Sequence, residues 1–205
     1  MRQKDTISNK FRRIPLLTKI ICEALDTQEI RRLCRYFSLS PYDDVALDYN
    51  NEFVDQPDLM DSLMDDSVRD KNVSKGANKA CVLPYRFSKD VLTDNRVIIF
   101  VYCSDIDLRE STIDVDSIFH VDIVYPLELE KLENFNSRPW EILTQLSHML
   151  DEYRVQNEEY VKKIGNVEFK FSSKVVSGKL ANNSSMGIVS VPIHVKSMGL
   201  CSLKF

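Results

Sequence analysis

The sequence predicts an α+β fold: an N-terminal helical hairpin, then a four-stranded, mainly antiparallel sheet in the order ββαββ, packed by one long helix. Three observations predict it. Apolar residues recur at three- and four-residue spacing over residues 14–37 and again over 139–153. Residues 97–103, 117–125, 167–171 and 187–196 carry strand patterns, the first a continuous apolar run and the others alternating. Between the first helices and the first strand lies an acid-rich stretch that fits neither period.

The elements follow in order. Ile14, Leu16, Leu17, Ile20, Ile21, Ala24 and Leu25 have helical spacing, and Pro15 suits a first turn. Asp26 and Thr27 offer an N-cap for a second helix with Ile30, Leu33, Cys34 and Phe37 on one face, ended by Pro41. Aspartates then crowd residues 43–70, where Pro57 is expected to start a short helix presenting Leu59, Met60, Leu63 and Met64. This stretch reads as an accessory or partner-ordered region. Strands at 97–103 and 117–125 form a long-looped hairpin. A helix opens at Arg138-Pro139-Trp140 and places Ile142, Leu143, Leu146, Met149, Leu150 and Tyr153 on one stripe. Val167, Phe169 and Phe171 alternate in a third strand. Pro192 makes the last strand, 187–196, an expected edge. The organisation is thus a helical hairpin at 1–40, an acidic insertion or linker at 41–95 and an α+β core at 96–205, forming one folded unit.

Bulk properties narrow the function. With 205 residues, 43% hydrophobic and 28% charged, the composition is that of a globular protein. A chain of this size buries roughly 70% of its unfolded surface and needs neither disulfide nor metal to fold. A net charge of -4 argues against non-specific nucleic-acid binding. The five cysteines, Cys22, Cys34, Cys81, Cys103 and Cys201, are scattered without CxxC spacing and read as free thiols in a reducing compartment. The charged N-terminus predicts no signal peptide, and no apolar run approaches the roughly 18 residues of a membrane span. The protein is expected to work in the cytoplasm or in an assembly built there.

Catalytic motifs are sparse. Glu168-Phe169-Lys170 puts an acid and a lysine on one strand face, and with Asp122 or Asp151 they would form a D…ExK arrangement able to hold Mg²⁺ in a nuclease. Neither aspartate sits on the hairpin that such sites use, and alternating Glu and Lys on a solvated strand face is the plainer reading. The aspartate run lacks the glycine of a calcium loop. His120, His148 and His194 are isolated, and the five glycines form neither a P-loop nor a dinucleotide fingerprint. No catalytic residue, cofactor or metal site is assigned. Trp140, the single tryptophan, follows Arg138 and reads as a packing residue or an interface anchor.

The order of these elements resembles that of tail-terminator and related neck proteins of tailed bacteriophages. The likeness rests on the apolar strand at 97–103, the strand at 118–127 with its polar exit, the helix opened by Arg138-Pro139-Trp140, the glycine-led strand at 165–171 and the final strand at 187–195. The helical region at 11–37 also looks like the start of such proteins. The resemblance implies a structural virion protein, assembled in the host bacterial cytoplasm, that forms a homo-oligomeric ring, often a hexamer. Such a ring caps the tail tube and joins it to the head connector, without catalytic residues, membrane contact or sequence-specific nucleic-acid binding. The alternatives are a metal-dependent nuclease using Glu168 and Lys170, or a cytoplasmic protein-interaction domain. Interface candidates are Arg138 and Trp140 on the helix, with Ile188 and Val191 on the expected edge strand.

Overall fold

A computed structural model describes residues 7–47, 52–64, 80–86, 96–107, 114–156, 166–181 and 183–198. The elements are α1 (Ile7–Ala24), α2 (Gln28–Arg35), β1 (Val45–Leu47), β2 (Phe53–Asp55), β3 (Val82–Leu83), β4 (Ile98–Ile106), β5 (Val115–Pro126), α3 (Arg138–Gln156), β6 (Asn166–Phe171), β7 (Val176–Leu180) and β8 (Asn183–Met198). Two short 3₁₀ turns, Leu127–Leu129 and Glu133–Phe135, lead into α3.

The sheet is larger than the four strands expected. Six strands run in the order β3-β4-β5-β8-β6, with β7 also paired to β8, and β1 and β2 form a separate antiparallel ribbon. The β3–β4 pair is parallel, with Val82 opposite Ile99, and the remaining pairs are antiparallel. The four predicted strands are present as β4, β5, β6 and β8. The correction comes from strands too short or too polar to leave a pattern: β3 has 2 residues, and β7 reads Val-Ser-Gly-Lys-Leu with four of its residues exposed.

The last strand is central, contrary to the edge expected from Pro192. β8 pairs with β5 along one side and with β7 and then β6 along the other. A residue's N–H and C=O point to the same side of a strand, and the Pro192 carbonyl accepts from Ser172 N at 2.9 Å. The missing N–H of Pro192 therefore faces the gap between Phe171, the last paired residue of β6, and Val176, the first of β7. Proline is accommodated because no ladder bond is due there.

The helical layout is corrected as well. α1 begins eight positions before Pro15, which sits inside the helix on its exposed side. The lost hydrogen bond to the Phe11 carbonyl falls on that exposed side, where water can replace it. α2 starts as expected: Thr27 Oγ1 accepts from Ile30 N at 3.3 Å. It ends at Arg35, so Phe37 lies beyond it. The two helices do not stand as a separate hairpin. α1 packs on β4 and α3, and α2 packs on α3.

Odd-numbered residues of β4, β5 and β8 face these helices. Ile99, Val101, Phe119, Val121, Ile123, Val189, Val191, Ile193 and Val195 are buried with Leu17, Ile20 and Ile21 of α1, Leu33 and Cys34 of α2, and Ile142, Leu143, Leu146 and Leu150 of α3. Burying each such side chain contributes about 1.5–3 kcal/mol. On the opposite face, Ile98, Phe100, Val124 and Met186 form a smaller apolar cluster, with Ile188 packed against it.

Candidate functional site

The acidic stretch is tied to α2 by that helix's own arginines. Arg31 bonds the Asp26 carboxylate and donates to the Leu59 and Met60 carbonyls, while Asp26 Oδ1 accepts from Leu63 N at 2.8 Å. Arg32, 6% exposed, reaches Asp44 and Asp58, each at 3.0 Å. Burial alone would lower the Arg32 pKa, but the hydrogen bonds and charges of Asp44 and Asp58 outweigh it and the net shift is upward. Arg35 donates to the Ser62 carbonyl. Leu59 and Leu63 are buried as a consequence. Residues 57–64 are not the predicted helix: three arginine forks take up their carbonyls and carboxylates instead. Asp65, Asp66 and Asp70 lie outside the described residues.

Arg138 builds the neighbouring loop. Fully buried, its guanidinium donates Nε to the Leu129 carbonyl at 2.7 Å, Nη1 to those of Leu33 at 2.6 Å and Tyr36 at 2.9 Å, and Nη2 to that of Ser38 at 2.7 Å. A planar fork of donors can meet several carbonyls at once where an ammonium cannot. Helix ends leave unpaired carbonyls, and Arg138 satisfies that of Leu33 in α2 along with two just beyond the helix. The loop is closed by Leu132 N donating to the Asn136 carbonyl, Glu133 N to that of Leu39, and Arg138 N to that of Glu130. At its tip Phe135 has φ 61° and is 100% exposed. A phenylalanine held left-handed costs about 1–2 kcal/mol, and here no burial of its ring within the chain offsets that cost.

Beneath Phe135 lies a depression of ≈ 440 Å³ lined by Leu39, Pro41, Tyr42, Leu132 and Phe135 together with Asp43, Glu133 and Glu141. The Glu141 carboxylate accepts from Tyr42 Oη at 3.2 Å, Gln145 Nε2 at 3.0 Å and Asn136 Nδ2 at 2.7 Å. Burial, and after it the Glu141 charge, holds the Tyr42 phenol well above its usual pKa. The chain then continues into the β1–β2 ribbon, where Val45, Leu47 and Phe53 are exposed, Phe53 to 80%. Trp140, 42% exposed, immediately precedes Glu141.

The other predicted site residues fall elsewhere. Arg138 and Val191 are buried inside the chain and present no surface to a partner, and Ile188 is partly buried on the face opposite the helices. Lys170 Nζ lies 3.0 Å from Glu168 Oε1, but neither predicted aspartate joins them. Asp122 stands opposite Ser190 in the sheet, whereas Glu168 stands opposite Lys196, six residues or roughly 20 Å farther along β8. Asp122 accepts instead from Tyr102 Oη at 3.0 Å and Ser190 Oγ at 2.5 Å. His120 stacks on Tyr102, with ring centroids 5.4 Å apart. Asp151 is on α3, which covers the other face.

The sheet brings Asp105, Asp107 and Asp116 beside Glu168, Lys170, His194 and Lys196 around a depression of ≈ 560 Å³. Asp116, Lys196 and Glu168 stand abreast on neighbouring strands, an alternation of charge that stabilises cross-strand pairs. Among the described residues no group of three or more His, Cys, Asp or Glu is placed to hold a metal ion. Positions this far apart in sequence carry no spacing signal, and only the strand register assembles them. No helix among the described residues is long and apolar enough to cross a membrane.

No curated protein and no solved structure matches the chain. A family model does match, over residues 21–187, from within α1 to within β8, and on that match the chain belongs to the YomW family.

Proposed function

We propose that the chain is a structural protein of a bacteriophage virion, a tail-terminator or neck protein that forms a homo-oligomeric ring at the head–tail junction. In this role it caps the tail tube, contacts the head connector, and is assembled in the host bacterial cytoplasm without enzymatic activity. The family name points to a phage-derived protein, and the order of elements resembles that of neck proteins. The observation that carries an assembly role is Phe135, 100% exposed on a backbone of φ 61°. Tyr42 lines the same depression, and Phe53 and Trp140 are further exposed aromatics of the chain; exposed aromatic residues of this kind supply the anchors of protein contacts.

Light scattering after size exclusion, with negative-stain microscopy, tests the proposal. A closed ring of several copies is expected. A strict monomer at high micromolar concentration refutes it. In parallel, Mg²⁺-dependent DNA cleavage that disappears in Glu168→Ala would replace this reading with the nuclease one.

A further inference from the structure

The depression under Phe135 has an apolar floor and a one-sided charge. The residues that line it include Asp43, Glu133 and Glu141 and no lysine or arginine. Glu141 is already met by Tyr42, Asn136 and Gln145. Among the described residues, neither the Asp43 nor the Glu133 carboxylate has a partner. An occupant that suits both floor and rim carries an exposed apolar ring with a cation beside it.

The chain itself displays such a pair. Near the start of α1, Phe11 is 52% exposed, and Arg12 is exposed with no ion pair among the described residues. Among the described residues, Tyr85 and Arg86 make another exposed pairing of this kind, but their groups are engaged: Tyr85 packs edge-on to Phe100, and Arg86 lies over the Tyr102 ring at 5.1 Å. The space of ≈ 440 Å³ is ample for one phenylalanine side chain and the stem of an arginine.

We infer that this depression receives the N-terminal part of α1 from a second copy of the chain, Phe11 entering between Tyr42 and Phe135 while Arg12 faces Asp43 and Glu133. This rests on the ring reading and deepens it by naming the contact. The two surfaces are different patches of one chain, so the contact is heterologous: it repeats from copy to copy and closes as a ring when the rotation permits. It also explains why the loop holds Phe135 out in a left-handed conformation, since the ring completes the wall of a site that is filled only on assembly.

Charge exchange tests the inference. Arg12→Glu alone, and Asp43→Lys with Glu133→Lys, should each weaken self-association on the order of tenfold, measured by sedimentation equilibrium. The chain carrying all three changes should recover most of that loss. These positions are exposed, so cooperative melting should be unchanged. A variant that loses its melt is replaced by Arg12→Gln, or by Asp43→Asn with Glu133→Gln, and judged the same way. If the unaltered protein forms rings and the exchanges leave association unchanged, or the triple exchange fails to restore it, the contact is wrong and the ring reading stands. If the unaltered protein never associates, the ring reading falls and takes this contact with it.

Discussion

Replacing Arg138 by methionine keeps much of the side-chain volume and removes donors to four carbonyls, those of Leu33, Tyr36, Leu129 and Ser38, met at 2.6 to 2.9 Å. The site is fully buried, so no water reaches those carbonyls without opening the junction between α2 and the loop before α3. Each unsatisfied buried acceptor costs about 1 kcal/mol or more, which puts the loss at about 4 kcal/mol. That is comparable with the whole stability of a marginal domain, about 5–15 kcal/mol. Arg138→Lys should recover only part of it, because an ammonium cannot span the four acceptors. Urea unfolding followed by circular dichroism gives the measure: the midpoint of Arg138→Met should fall sharply, and Arg138→Lys should lie between it and the unaltered chain. A change below about 1 kcal/mol for Arg138→Met would refute the view that this guanidinium holds the junction together.

Two further predictions concern β5 and its neighbours. A methyl group at Gly187 would lie 2.5 Å from Tyr125 Cζ, so Gly187→Ala should displace the Tyr125 ring and destabilise the fold by about 1–3 kcal/mol; an unchanged thermal midpoint would show that the ring does not lie across this glycine. Burial, with the Asp122 charge and hydrogen bond, pushes Tyr102 up to about 12, and burial with Glu130 pushes Tyr125 up to about 12. A phenol raised above its unfolded value of about 10 favours the folded state fully below that pH and progressively less above it. Stability should therefore decline between about pH 10 and 12, and phenolate absorbance should lag behind that of free tyrosine until unfolding. Tyr102→Phe should flatten part of this decline, and an identical profile would remove Tyr102 from the account.

The sequence by itself determined the long elements. Repetition reveals them: the stripe Ile142, Leu143, Leu146, Leu150 can bury one side only as a helix, and Val121, Ile123 and Val189, Val191 can do so only as strands. Thr27 was legible as a cap because its side chain acts on a backbone N–H three residues away. The tertiary structure decided the rest, because those outcomes depend on partners distant in the chain. Pro192 signalled an edge, and the fold placed it in the centre, where the gap between β6 and β7 removes the need for its N–H. The aspartates at 55–70 signal a solvated or partner-bound surface, and Arg31, Arg32 and Arg35 of α2 hold the described part of that stretch, with Asp44, against the helix. In the sequence Arg138 is an interface candidate, but in the fold its charge is turned inward onto four carbonyls that no local pattern associates with it. Local periodicity records which face of an element is buried, whereas the partner of a polar group is set by register and packing between segments a hundred residues apart.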